Sequence, residues 1–176
     1  LTKMKEDKLD FEEALHLAAE MGYAEADPSY DVDGIDAGHK IAILSSLAYG
    51  GYINFSEVYL QGIRDISLVD IFEAEKLGFS IKLIASSKIN EDKLVEISAE
   101  PILLKNEKLL SNVNDVYNAI EVTGSYTGKT LFYGKGAGME PTASAVISDI
   151  VKIATDSVIN SNFFFDTKSH LETVDT

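Results

Sequence analysis

The stretch Ser67-Leu-Val-Asp70-Ile-Phe-Glu-Ala-Glu-Lys76-Leu-Gly78-Phe79-Ser-Ile-Lys-Leu-Ile-Ala85 contains the change of period on which the fold class turns. Its first half predicts a short helix. Ser67 and Asp70 stand at capping-box spacing, and Gly78 supplies a natural C-terminal stop. Its second half, from Phe79, alternates for part of its length and is rich in strand formers. Towards the N-terminus, Asp10 and Glu13 predict a second capping box. It opens a helix with an apolar stripe at Leu15, Ala18 and Ala19 and a stop at Gly22. A polar loop from Tyr23 to Gly34 holds Glu25, Asp27, Asp31 and Asp33. Asp36 predicts the N-cap of a helix running to Tyr49, with Ile41, Ile43, Leu44, Leu47 and Ala48 as its core. Gly50-Gly51 ends it. Towards the C-terminus, Leu94–Leu104, Val116–Thr123 and Lys129–Tyr133 read as strands, with a turn at Ser125-Tyr-Thr-Gly128. Pro141 suits the first turn of a closing helix that extends to about Ile159. Helices and strands mix without strict βαβ alternation, which predicts an α+β fold: one mixed sheet with helices on one face.

The 176 residues suit a single domain, here bounded at 1–160, with 161–176 as a tail or linker. The run Phe163-Phe-Phe in that tail is expected to dock on a domain or subunit. Acidic residues outnumber basic ones by 29 to 15, a net charge of -14. Such a balance argues against nucleic acid and against an anionic membrane surface as partners. There is no cysteine, which excludes disulfides, thiolate nucleophiles and Cys-ligated metals. No apolar run approaches the roughly 18 residues of a membrane span. The opening, Leu1-Thr-Lys-Met, has no signal-peptide character and no initiator Met, so the chain is expected to be a piece of a longer protein.

Chemistry concentrates in Tyr23-Ala-Glu-Ala-Asp-Pro-Ser-Tyr-Asp-Val-Asp-Gly-Ile-Asp-Ala-Gly-His-Lys40. A carboxylate-rich loop delivers into a helix whose first turns carry one lysine. Asp36 and Lys40, at i and i+4, share a helix face. Such a set can bind an ammonium group through its carboxylates while Lys40 handles an oxygen. The plainer reading is a solvated acidic loop with one weak surface ion pair. The acidic spacing does not match a calcium-binding EF-hand loop. A second motif, Tyr133-Gly-Lys-Gly-Ala-Gly-Met-Glu-Pro-Thr, places Gly134, Gly136 and Gly138 before a helix. Glycines let backbone N–H groups approach a ligand, and helix N-termini favour anions. The spacing is not the dinucleotide fingerprint, and a structural glycine turn fits as well.

Gly22-Tyr-Ala-Glu-Ala-Asp-Pro, Asp31, Gly34-Ile-Asp-Ala and Lys40 together resemble the signature of the homoserine dehydrogenases. Gly62-Ile, Ala74-Glu-Lys-Leu-Gly78, Ile81-Lys-Leu-Ile-Ala85, Gly134-Lys-Gly-Ala-Gly138 and Pro141-Thr-Ala follow in that family's order and spacing. The resemblance covers roughly Phe11 to Ile153. It implies interconversion of L-homoserine and L-aspartate 4-semialdehyde with NADP or NAD, on the route to threonine, methionine and isoleucine. It implies Lys40 as the catalytic lysine, Glu25 as the substrate-binding glutamate, and Asp31 and Asp36 as assisting aspartates. The segment Gly136, Ala137 and Gly138 would lie against the nucleotide. The fold implied is that of the C-terminal domain of glyceraldehyde-3-phosphate-dehydrogenase-like enzymes. The family's N-terminal Rossmann domain has no counterpart here, so the chain reads as a substrate-binding and dimerisation domain. A homodimer through the sheet and a cytoplasmic location also follow from the resemblance. Tyr30 stands where many members carry a smaller residue.

His16, His39 and His170 are too far apart in sequence to suggest a metal site. His16 reads as a structural residue of an amphipathic helix, and His39 as pointing about 100° away from Lys40. Lys82 reads as lying on the outward face of its strand, the alternative being a buried charge paired across a dimer. The main alternative function is a non-enzymatic amino-acid-sensing or assembly module using the same acidic loop. Lys40 discriminates, because a sensor needs no acid–base group at the hydroxyl end. A calcium-binding acidic domain is a further alternative, and it predicts calcium-dependent thermal stabilisation.

Overall fold

The computed structural model describes residues 1–22, 27–136, 138–155 and 166–174. The chain opens with α1 (Thr2–Asp7), α2 (Phe11–Glu20), a one-turn α3 (Ser29–Val32) and α4 (Ile35–Tyr49). There follow β1 (Gly51–Tyr52), β2 (Tyr59–Leu60), α5 (Leu68–Lys76), β3 (Phe79–Ile89) and β4 (Val95–Lys105). A hairpin of β5 (Tyr117–Gly124) and β6 (Gly128–Lys135) leads to α6 (Met139–Thr155) and β7 (Asp166–His170). The class is α+β, as the pattern predicts. Among the described residues, hydrogen bonding groups the strands into three sets rather than one. The central sheet, ordered β2-β4-β3, is mixed: β2 runs parallel to β4, and β3 antiparallel to it. The β5-β6 hairpin is antiparallel, and β7 pairs in parallel with β1. Strands of two residues, such as β1 and β2, are too short to leave a periodic signal.

Local chemistry sets the helix ends. Both predicted capping boxes form: the Glu13 amide donates to Asp10 at 2.9 Å and the Asp10 amide to Glu13 at 3.1 Å, and Ser67 and Asp70 exchange the same contacts. The start of α4 differs from expectation. Its N-cap is Gly34, in the left-handed region at φ 78°, and Asp36 lies inside the first turn. The chain reverses sharply out of α3 at this point, and glycine adopts that φ without a Cβ clash. An aspartate in the first turn still suits the helix dipole.

Among the described residues, two apolar clusters hold the domain together. One joins Ala42, Ile53, Val58, Val95 and Ile97; the other joins Met4, Ala14 and Ile71. The inward face of α4 departs from the predicted one. Gly38, Ala42, Ser45 and Ser46 are buried, whereas Ile43, Leu44 and Leu47 are exposed. Small residues let the helix axis approach the strands: a Cβ on Gly38 would lie 2.6 Å from Leu60 Cδ2. Ser46 hides its hydroxyl by donating to the Ala42 carbonyl at 2.7 Å and accepting from the Ile53 amide at 3.1 Å. On α2 the buried position is Ala14, and Ala19 of the predicted stripe is exposed. His16 is also exposed, 3.6 Å from Glu20, so it is no part of a core.

Lys82 departs from the outward reading as well. It is partly buried, and its Nζ donates to the Val113 carbonyl and to Asn114 Oδ1, both at 2.7 Å. Burial pushes its pKa below the ordinary lysine value; repulsion from Lys5 adds to this, and Asp115 opposes it. A lysine with a lowered folded-state pKa carries a penalty that is complete below that pKa. The penalty shrinks as pH rises through it towards the unfolded value of about 10.4. The wild type should therefore gain stability relative to Lys82→Met as pH is raised from neutral towards that unfolded value. Urea unfolding of both proteins across that range checks this; parallel curves would contradict it.

Candidate functional site

The site forms where α3 turns into α4. The Ser29 amide donates to Asp27 Oδ1 at 3.1 Å, which anchors the entry to α3. Hydrogen bonds to Ser29 hold the Asp27 carboxyl below its ordinary pKa. Asp31 lies in the single turn of α3, and Asp33 closes it. One helical turn into α4, Lys40 Nζ donates to Asp36 Oδ2 at 2.6 Å, as the i, i+4 spacing predicts. Both side chains remain largely open to solvent, 66% for Lys40 and 45% for Asp36. A substrate can therefore reach the ammonium without displacing core residues. Beside this pair, His39 stacks on Phe55 with ring centroids 3.7 Å apart, and Tyr30 stacks beyond His39 at 6.5 Å. His39 thus belongs to an aromatic column flanking the site, separate from the ion pair.

The elbow is braced from behind by Gln61, Ile63 and Arg64, of which motif reading singles out only Ile63. The Gln61 amide donates to the Ala99 carbonyl of β4 at 2.9 Å, and the Ile63 amide to the Val32 carbonyl at 2.8 Å. Arg64 then grips the elbow itself. Its Nε donates to Asp33 Oδ1 at 2.5 Å, and its Nη2 to Asp33 Oδ2 at 3.1 Å and Ser29 Oγ at 3.2 Å. Asp33 holds the Arg64 pKa above its ordinary value. No short-range pattern signals Arg64, because its partners lie 31 and 35 positions away.

Glu25 and Ala137 fall outside the described residues. The glycine turn lies at the far end of β6. The Gly136 amide donates to the Val116 carbonyl at 3.2 Å, and Gly138 adopts φ 117° ahead of α6. Among the described residues, no hydrogen bond or ion pair joins this turn to α4. A Cβ on Gly134 would meet open space, whereas one on Gly136 would strike the Asn118 side chain. The backbone at Gly134 is thus open on one side, and the turn runs on into the 17-residue α6.

These features define an α+β domain that offers a lysine–carboxylate pair beside a carboxylate-bearing elbow. The family model for homoserine dehydrogenase matches residues 1–151. A homoserine dehydrogenase from Synechocystis is 47% identical over 156 residues, covering 87% of this chain and 36% of that protein. Among solved structures, a homoserine dehydrogenase from Thiobacillus denitrificans superposes with a TM-score of 0.86 at 37% identity, covering 98% of this chain and 41% of the other. A hyperthermophilic archaeal homoserine dehydrogenase mutant in complex with NADPH gives 0.65 at 31% identity, over 87% of this chain and 42% of the other. The chain belongs to the homoserine dehydrogenase family, and it spans well under half the length of these relatives.

Proposed function

We propose that this chain is the substrate-binding and catalytic part of an NAD(P)-dependent homoserine dehydrogenase. The Asp36–Lys40 pair at the mouth of the elbow carries this reading. Reduction of L-aspartate 4-semialdehyde places negative charge on the carbonyl oxygen, and Lys40 Nζ supplies the proton that neutralises it. In the reverse direction Lys40 takes the hydroxyl proton of L-homoserine. Asp36 orients the ammonium through its hydrogen bond. Asp31 and Glu25 bind the α-ammonium of the substrate through charge-assisted hydrogen bonds. NADP or NAD, when bound, supplies or accepts the hydride; Gly136, Ala137 and Gly138 contribute one wall of its site. The remaining walls belong to a Rossmann domain of the same protein. The relatives' greater length supports this division of labour.

Two copies are proposed to pair through their sheets in the cytoplasm. Support comes from apolar side chains left open on the hairpin and on α6, among them Phe132, Ile147 and Ile150. Among the described residues, no helix is long and apolar enough to cross a membrane.

The 176-residue chain by itself should bind NADPH negligibly and oxidise no homoserine. Hydride transfer needs the nicotinamide held about 3–3.5 Å from the reacting carbon, and one wall cannot impose that. The net charge of -14 also disfavours a polyphosphate ligand. Titration of the chain with NADPH, followed by nicotinamide fluorescence, checks this. Micromolar binding or measurable turnover would show that the chain holds a complete cofactor site. Joining the chain to a family Rossmann domain should restore homoserine-dependent reduction of NAD(P), and failure to do so would count against the reading.

A further inference from the structure

We infer that Arg64 is the positioning residue of this site: clamped on Asp33 and Ser29, it fixes the α3–α4 elbow that carries Asp31 on one side and the Asp36–Lys40 pair on the other. This rests on the function proposed above. The acidic stretch carries carboxylates of similar chemistry, and the structure divides their work. Asp27 is committed to the Ser29 amide at the entry to α3. Asp33 is committed to a two-pronged contact with the Arg64 guanidinium. Asp36 holds Lys40.

The clamp stands between two parts of the site. Asp31 lies two residues before Asp33, and α4 begins two residues after it. The intervening Gly34, in the left-handed region, is the pivot of the elbow. A glycine pivot is freely mobile unless its flanks are fixed. Arg64 fixes one flank with a planar fork that sets direction as well as distance. Its own backbone segment is fixed in turn, through Gln61 on the Ala99 carbonyl of β4 and Ile63 on the Val32 carbonyl. The central sheet is thereby connected to the elbow by a short chain of directional contacts. Arg64 also neutralises one carboxylate of a crowded acidic loop, lowering the repulsion that would splay it.

The test is steady-state kinetics with homoserine on the longer protein that carries this chain, with thermal melting as the folding control. Arg64→Ala should raise the KM for homoserine about 10–100-fold, with a smaller fall in kcat, because a displaced Asp31 weakens ground-state binding. Arg64→Lys should restore only part of this, since an ammonium keeps the charge and loses the fork. Arg64→Ala combined with Asp33→Ala should be no worse than Arg64→Ala alone, because both remove one clamp. Unchanged KM in Arg64→Ala, an additive double variant, or loss of folding in both Arg64 variants would overturn the inference. With Lys40→Ala inactive in the same assay, those results would leave the proposed function standing. Near-normal kcat in Lys40→Ala would instead remove that function, and the positioning role with it.

Discussion

Lys40→Ala should lower kcat by about 10²–10⁴-fold in the intact enzyme, the usual scale for loss of a positioned acid–base group. The expectation follows from where charge appears. In the proposed reaction, hydride arrival at the semialdehyde carbon leaves an alkoxide, and its oxygen needs a proton as the charge develops. In the structure, Lys40 Nζ is 2.6 Å from Asp36 Oδ2 and open to the solvent side of the elbow. The carboxylate holds the ammonium in one direction and leaves its other N–H donors for an incoming oxygen. Lys40→Arg should recover little, because a guanidinium keeps the charge but does not release its proton in this pH range. Thermal melts should hardly move, since an exposed i, i+4 pair is worth only about 0.3–0.5 kcal/mol. A large loss of kcat with unchanged melting is therefore the signature to look for. A variant that keeps near-normal kcat would show that another group carries the proton.

Gly62→Ala should be among the most damaging conservative changes in this chain. A Cβ at position 62 would lie 2.6 Å from the Val32 carbonyl oxygen and 2.7 Å from Asp33 Cα. Both are backbone atoms of the elbow, so no rotamer change relieves the clash. Alanine would by itself favour folding by about 0.4–1 kcal/mol through the unfolded chain. Overpacking at a close contact costs about 1–3 kcal/mol, and it dominates. For a domain of this size each kcal/mol lowers Tm by about 2–4 °C. The same displacement moves Asp33 away from Arg64, so the KM for homoserine should rise alongside the loss of stability. Gly134→Ala is the control: its Cβ meets open space, and its stability should stay within about 0.5 kcal/mol of the wild type. Equal melting temperatures for the two variants would contradict the steric argument.

Features decided over a few residues were legible in the sequence. The capping boxes at Asp10 and Ser67 form as their spacing predicts, because both partners lie within one turn. The Asp36–Lys40 pair forms for the same reason, since a helix brings i and i+4 together whatever surrounds it. The long strands β3 and β4 and the β5-β6 hairpin likewise announce themselves through side-chain period and turn residues. Tertiary structure decided the rest. Which face of α4 turns inward depended on how closely a helix can approach a strand, and small residues won over large apolar ones. Lys82 is drawn inward by acceptors at Val113 and Asn114, which no strand period encodes. The Arg64–Asp33 clamp joins residues 31 positions apart. Local propensity has no information at that range; only the folded chain, with Gly62 pressed against the Val32 carbonyl, brings the two charges into contact.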